Sequence, residues 1–196
     1  MLICACTVCQ EADIAAAPLT VTSIRERVIE FTMPFMVDYI AVFIKKSHAT
    51  QFGIRALTDL ASQSTVKYGA LAYGSTRDFF RSSKYAVYSS MWEAMASDGS
   101  AGQVQTLEEG VERVLASTDE QPWAFLSESA ALKYAAAQRC DVEVIEDEFV
   151  PRYLSLAVPI GSTYSDRLTL AILELLENGE ISTLRTKWWN PRSACE

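Results

Sequence analysis

The stretch VKYGALAYGSTRDFF spans residues 66–80. Val66 to Leu71 has the apolar make-up of a buried strand. Gly74 supplies a tight turn. Ser75 or Thr76 stands where a helix N-cap belongs, and Asp78 where a capping box places its acid. Ser75 to Lys84 then reads as a helix, with Phe79 and Phe80 on one side. A strand feeding a helix through a short turn is the building unit of an α/β fold.

The pattern continues downstream. Helices are expected over Ser90 to Ser97, Leu107 to Ser117, Ser129 to Gln138 and Asp166 to Leu176. The last carries Leu168, Ile172, Leu175 and Leu176 at inward spacing. Asn178 and Gly179 break it, and Ile181 to Trp189 resumes. Strands are expected at Trp123 to Leu126, Val142 to Ile145 and Tyr153 to Val158. Upstream, Asp13 to Ala17 runs apolar into Pro18, and Thr22 to Glu26 can cap one helical turn. Val28 to Phe31 and Tyr39 to Ile44 read as extended. Ser47 to Arg55 reads as a polar connector, and Leu57 to Ser62 as a short helix. Strands separated by helices predict a mostly parallel sheet.

Composition narrows the function classes. The 196 residues are 49% apolar and 21% charged, enough for a core and too apolar for a disordered tail. Seventeen basic residues against 25 acidic ones leave a net charge of −8. A nucleic-acid partner is therefore not expected, because phosphate neutralisation needs a basic face. No run approaches the ~20 apolar residues of a membrane span, so no transmembrane segment is expected. The five cysteines are Cys4, Cys6, Cys9, Cys140 and Cys195, so at least one is unpaired within the chain. The first three form C-x-C-x2-C, but zinc takes four ligands, and no metal is expected. His48 is the single histidine and reads as a solvated residue of the polar connector. No phosphate-binding, dinucleotide-binding, zincin or nucleophile-elbow motif is present, so neither an enzyme nor a cofactor is implied.

Three segments look suited to a ligand. In PLTVTSIR (18–25), the Pro18 carbonyl, the Thr20 hydroxyl and the Arg25 guanidinium lie within a few residues. A guanidinium can grip a carboxylate through two parallel hydrogen bonds. On the residues alone, the stronger reading of Arg25 is a surface side chain paired with Glu26 or Glu30. The helix start at Ser75 and Thr76 offers free amides and a positive dipole end to an anion; on the residues alone, a plain N-cap with no ligand is the stronger reading. Glu128 stands at a strand end, where open α/β sheets contact ligands. It could pair with an ammonium group, or merely favour the start of a helix. Two anion sites and one cation site together match an acidic amino acid.

These residues also carry a resemblance. ADIAAAPLTVTSIRERVIEFTMPFM (12–36), YGSTRDFFRSSK (73–84), YSSMW (88–92), FLSES (125–129) and KWW (187–189) resemble the ligand-binding segments of ionotropic glutamate receptors, nearest the AMPA and kainate types. The resemblance implies a two-lobed clamshell of the type II periplasmic-binding-protein kind, with lobe 1 incomplete. Residues 1–37 would belong to lobe 1, 38–157 to lobe 2, and 158–196 would return to lobe 1. Arg25 would hold the ligand α-carboxylate, helped by the Thr20 and Ser75 amides. Pro18, Thr20 and Glu128 would hold the α-ammonium, and Thr76 the side-chain carboxylate. Tyr153 matches a family aromatic and joins the ligand set. Cys140 and Cys195 match the family disulfide, worth about 3–4 kcal/mol by loop closure, and would place the chain at the extracellular face of the plasma membrane. The implied function is binding an amino acid, L-glutamate first, by a closure that gates a cation pore in a receptor of several subunits.

The chain departs from that family in places. Pore helices would stand between Lys46 and Leu57, where only residues 47–56 occur. An upstream aromatic lid has no counterpart. FVPRYLS (149–155) replaces a glycine-containing hinge strand, and Met1 to Cys9 matches no family segment. The alternatives are a soluble amino-acid-binding protein of a transporter, a receptor fragment without function, or a small dehydratase on the same fold.

Overall fold

The computed structural model describes residues 12–137 and 139–189. The strands are β1 Ala15–Thr20, β2 Glu30–Phe31, β3 Met36–Lys45, β4 Lys67–Leu71, β5 Gln103–Val104, β6 Trp123–Glu128 and β7 Val142–Val158. The helices are α1 Lys46–Phe52, α2 Leu57–Ala61, α3 Ser75–Ser82, α4 Ala86–Ser97, α5 Leu107–Ala116, α6 Ser129–Ala136, α7 Ser165–Glu177 and α8 Glu180–Trp189. The chain divides into two compact units after residues 38 and 150, so that β3 and β7 each continue from one unit into the other. The sequence reading set these changes at 37/38 and 157/158.

The unit of residues 39–150 is built on the strand order β7-β3-β6-β4-β5. β4 runs parallel to β5 and to β6, whereas β3 runs antiparallel to β6. The expectation of a mostly parallel sheet is thus corrected to a mixed one. β6 explains the layering. Its Ala124 and Leu126 enter one core with Leu57, Leu60, Phe80, Met91 and Met95. Its Trp123 and Phe125 enter a second core with Phe43, Val111, Val114 and Leu132. A strand covered on both faces reads as a continuous apolar run, as WAFL does. The turn that ends at Gly102 packs tightly against α4. A Cβ on Gly102 would overlap the Met95 carbonyl oxygen, which is backbone and cannot turn aside. Gly102→Ala is expected to lower stability by about 1–3 kcal/mol, read as an earlier urea midpoint with an unchanged slope.

Three further expectations fail here. Residues 46–52 form α1 instead of a polar connector. Its two buried residues, His48 and Ala49, are too few to show an apolar period. Gly53 ends it at φ 67°, donating to the Ala49 carbonyl, which is a helix-stop signal that the composition hid. His48 is therefore buried, not solvated; its Nε2 lies 3.2 Å from Asp119 Oδ1. The two strands expected at 142–145 and 153–158 are one, β7. Its middle contains Asp147, whose Oδ2 accepts from the Tyr88 hydroxyl at 2.8 Å. Burial, and then that carboxylate, push the Tyr88 hydroxyl pKa well above the ordinary tyrosine range.

In the unit of residues 12–38 and 151–189, β1 and β2 pair antiparallel with β7. Ala15, Ile29 and Ala157 form its buried cluster, with Leu19 and Phe31 against it. The extended stretch expected at 28–31 shrinks to Glu30–Phe31, because Arg25–Arg27 takes a 3₁₀ turn whose last bonds reach Ile29. On α7, Ile172 is buried, but Leu175 and Leu176 are 41% and 37% exposed and Leu168 is half-buried. The helical period was read correctly; the inward face was not. Among the described residues no helix is long and apolar enough to cross a membrane.

Candidate functional site

In the first unit, β1 runs through Pro18 instead of ending there, and reaches Thr20. The ladder to β7 shifts register between Ala15 and Leu19, the irregularity that lets an edge strand carry a proline. Pro18 is exposed and Thr20 is buried. Leu19 and Thr20 then pair with Ser155 and Leu154. The Val21 amide donates to the Tyr153 carbonyl at 2.8 Å, while the Tyr153 side chain is 47% exposed.

Arg25 opens the 3₁₀ turn, its amide 3.4 Å from Thr22 Oγ1. Its Nη1 donates to the Thr20 carbonyl at 2.8 Å. That bond fixes the guanidinium over the end of β1 and uses one of its five N–H donors. No ion pair joins Arg25 to Glu26 or Glu30 among the described residues. Glu30 Oε2 instead accepts from the Gly161 amide. The surface-pairing reading of Arg25 is therefore replaced by a half-buried guanidinium anchored on backbone.

In the second unit, Gly74 is the N-cap of α3, at φ 112°, and no side chain caps the helix. The capping box expected of Ser75 or Thr76 with Asp78 does not form. Ser75 and Thr76 occupy the first turn, and the first helical bond is Asp78 N–H to the Gly74 carbonyl at 3.1 Å. The amides before it have no intrahelical partner. Thr76 is buried, 5% exposed. The Ser75 hydroxyl donates to Glu128 Oε1 at 3.0 Å. Glu128 ends β6 and is half-buried.

The parallel pairing of β4 with β6 brings these two strand ends side by side. A carboxylate is thus held at the head of α3 by a hydroxyl. Sequence reasoning named both residues but missed their contact, since 53 residues separate them. Among the described residues no cluster of potential ligands could hold a metal ion. Cys140 is disulfide-bonded. The expected partner, Cys195, lies outside the described residues, as do Cys4, Cys6 and Cys9.

The model of the family described as "Ligated ion channel L-glutamate- and glycine-binding site" matches residues 3–48. The chain is 38% identical over 136 residues to the ionotropic glutamate receptor kainate 1 of Rattus norvegicus, covering 69% of this chain and 14% of the relative. It is 37% identical over 136 residues to kainate 5 of Mus musculus, with the same coverage. The chain thus spans about one-seventh of the length of these relatives. The solved structure "Drosophila muscle GluRIIB complex with glutamate" superposes with a TM-score of 0.87 at 31% identity, covering 96% of this chain and 72% of that one. These relatives are receptors, not enzymes. The mixed sheet, the helix placement and this likeness over nearly its whole length place the chain in the ionotropic glutamate receptor family, with the type II periplasmic-binding-protein-like fold of its ligand-binding domain.

Proposed function

We propose that the chain is the ligand-binding region of a glutamate-gated channel and binds one amino acid by clamshell closure. Arg25 takes the α-carboxylate through its remaining donors. Glu128 takes the α-ammonium, together with Thr20 and the Pro18 carbonyl. The first turn of α3, with the Thr76 hydroxyl, takes the side-chain carboxylate at the positive end of the helix dipole. The unit holding Arg25 acts as the first lobe, and the unit holding Glu128 as the second. Tyr153 borders the ligand from the first.

The observation that carries this reading is the anchored guanidinium of Arg25, held by the Thr20 carbonyl and not paired with either neighbouring acid. The receptor solved with glutamate supports the choice of ligand. The Ser75 bond supports the role of Glu128, because it orients a carboxylate before any ligand arrives.

Closure follows from linkage. A ligand shifts an open–closed balance only by its preference for the closed state. Glutamate meets that condition when Arg25 binds it first and the second unit adds contacts on closing. In the whole receptor, closure would open a cation pore, and further subunits would complete the assembly. The disulfide at Cys140 supports an oxidising, extracellular compartment.

Titration calorimetry on the full chain tests the proposal. L-glutamate is compared with glutarate, which keeps both carboxylates and lacks the ammonium. Glutarate is expected to bind at least ~10-fold more weakly, about 1.4 kcal/mol. Glu128→Gln is expected to erase most of that difference. Equal binding of the two ligands, or an unchanged preference in Glu128→Gln, would contradict the assignment.

A further inference from the structure

The strands that end at the proposed amino-acid contacts begin at a second feature. β4 starts at Lys67 and β6 at Trp123, and these residues line a cleft of about 560 Å³ with Asp98, Arg113 and Glu120. That volume lies in the range of small-molecule sites. Trp123 is 5% exposed, and its Nε1 has no hydrogen-bond partner. A buried donor is costly to leave unpaired, and this one belongs to a residue of the cleft lining.

Arg113 supplies the charge. Its guanidinium carbon lies 4.4 Å from the Trp123 ring centroid. The planar fork carries donors that suit a carboxylate. No ion pair occupies them among the described residues. Lys67 is already matched, at 3.3 Å from Asp98. Glu120 stays negative: its own backbone N–H, and then the Thr118 hydroxyl, hold its carboxyl below the usual range. The lining therefore offers one uncommitted cation beside one acid, which favours a single negative charge over several.

We propose that this cleft is a second ligand site, taking a small planar monocarboxylate on the Arg113 fork. Ala116 and Pro122, in the same lining, give the ligand body apolar contact. The site lies at the opposite ends of β4 and β6 from Ser75 and Glu128, so it does not depend on the amino-acid reading.

The full chain, labelled with ¹⁵N, is titrated with sodium benzoate while the tryptophan indole N–H signals are followed by NMR. One signal, assigned as the one lost in Trp123→Phe, is expected to shift saturably. Arg113→Gln should weaken the effect at least ~10-fold, and Arg113→Lys, which keeps charge but not the fork, should not restore it. Arg25→Ala should leave it unchanged, and inorganic phosphate should give no saturable shift. Absence of a saturable benzoate shift, equal binding by Arg113→Gln, loss in Arg25→Ala, or phosphate binding as tight as benzoate would each overturn the proposal.

Discussion

Arg25→Ala is expected to remove saturable L-glutamate binding from the full chain, with the fold retained by circular dichroism. Truncating one partner of a desolvated, hydrogen-bonded charge pair costs about 2–5 kcal/mol. At ~1.4 kcal/mol per decade this weakens affinity by about 30- to 4,000-fold. Stability should change little. The guanidinium is half-buried and makes one bond to the Thr20 carbonyl, whose strand is independently paired to β7. Arg25→Lys separates charge from geometry. It keeps the positive charge, loses the two-pronged grip, and should bind between wild type and Arg25→Ala. Arg25→Lys binding as tightly as wild type would show that charge alone suffices.

Phe125→Ala has the largest effect expected on stability. Phe125 is wholly buried at the middle of β6, with Phe43 opposite on one side and Gly69 on the other. Its ring stacks with Trp123, 6.2 Å between centroids, and a Cβ on Gly110 would press into it. A phenylalanine-to-alanine change at such a site costs about 3–5 kcal/mol, because the lost burial adds to the cavity left behind. That is a large fraction of the ~5–15 kcal/mol that holds a domain folded. The urea midpoint should fall sharply. Since Phe125 lies on the strand that ends at Glu128, glutamate binding should weaken by mass action as the folded fraction falls, and recover at lower temperature or denaturant. A variant as stable as wild type would mean that the cluster around β6 can collapse onto the gap.

The legible parts of this chain were those with local signals. The 66–80 stretch announced its strand, turn and helix through apolar run, glycine and polar first turn, and α3 indeed begins at Ser75. Arg25, Ser75, Thr76 and Glu128 were singled out by residue type at element ends. What escaped was set by partners distant in sequence. The Ser75–Glu128 bond depends on β4 lying beside β6, which no local pattern encodes. α1 hid because its polar surface outweighs two buried residues. β7 looked like two strands because its acidic middle is satisfied by Tyr88 from α4, a contact 59 residues apart. The exposure of Leu175 and Leu176 shows the converse limit: periodicity marks an apolar face without saying what covers it. Arg113 and Trp123 fall in an expected helix and an expected strand, and only the fold brings the guanidinium over the ring.

Hydrogen exchange of the full chain, with and without saturating L-glutamate, tests the central claim most directly. One zwitterion engaged by Arg25, Thr76 and Glu128 should slow exchange at the backbone around Thr20 to Arg25 and, in the same titration with the same midpoint, at the first turn of α3 from Ser75 to Arg77. Protection confined to one of these segments, or appearing at two different glutamate concentrations, would contradict a single ligand shared by both.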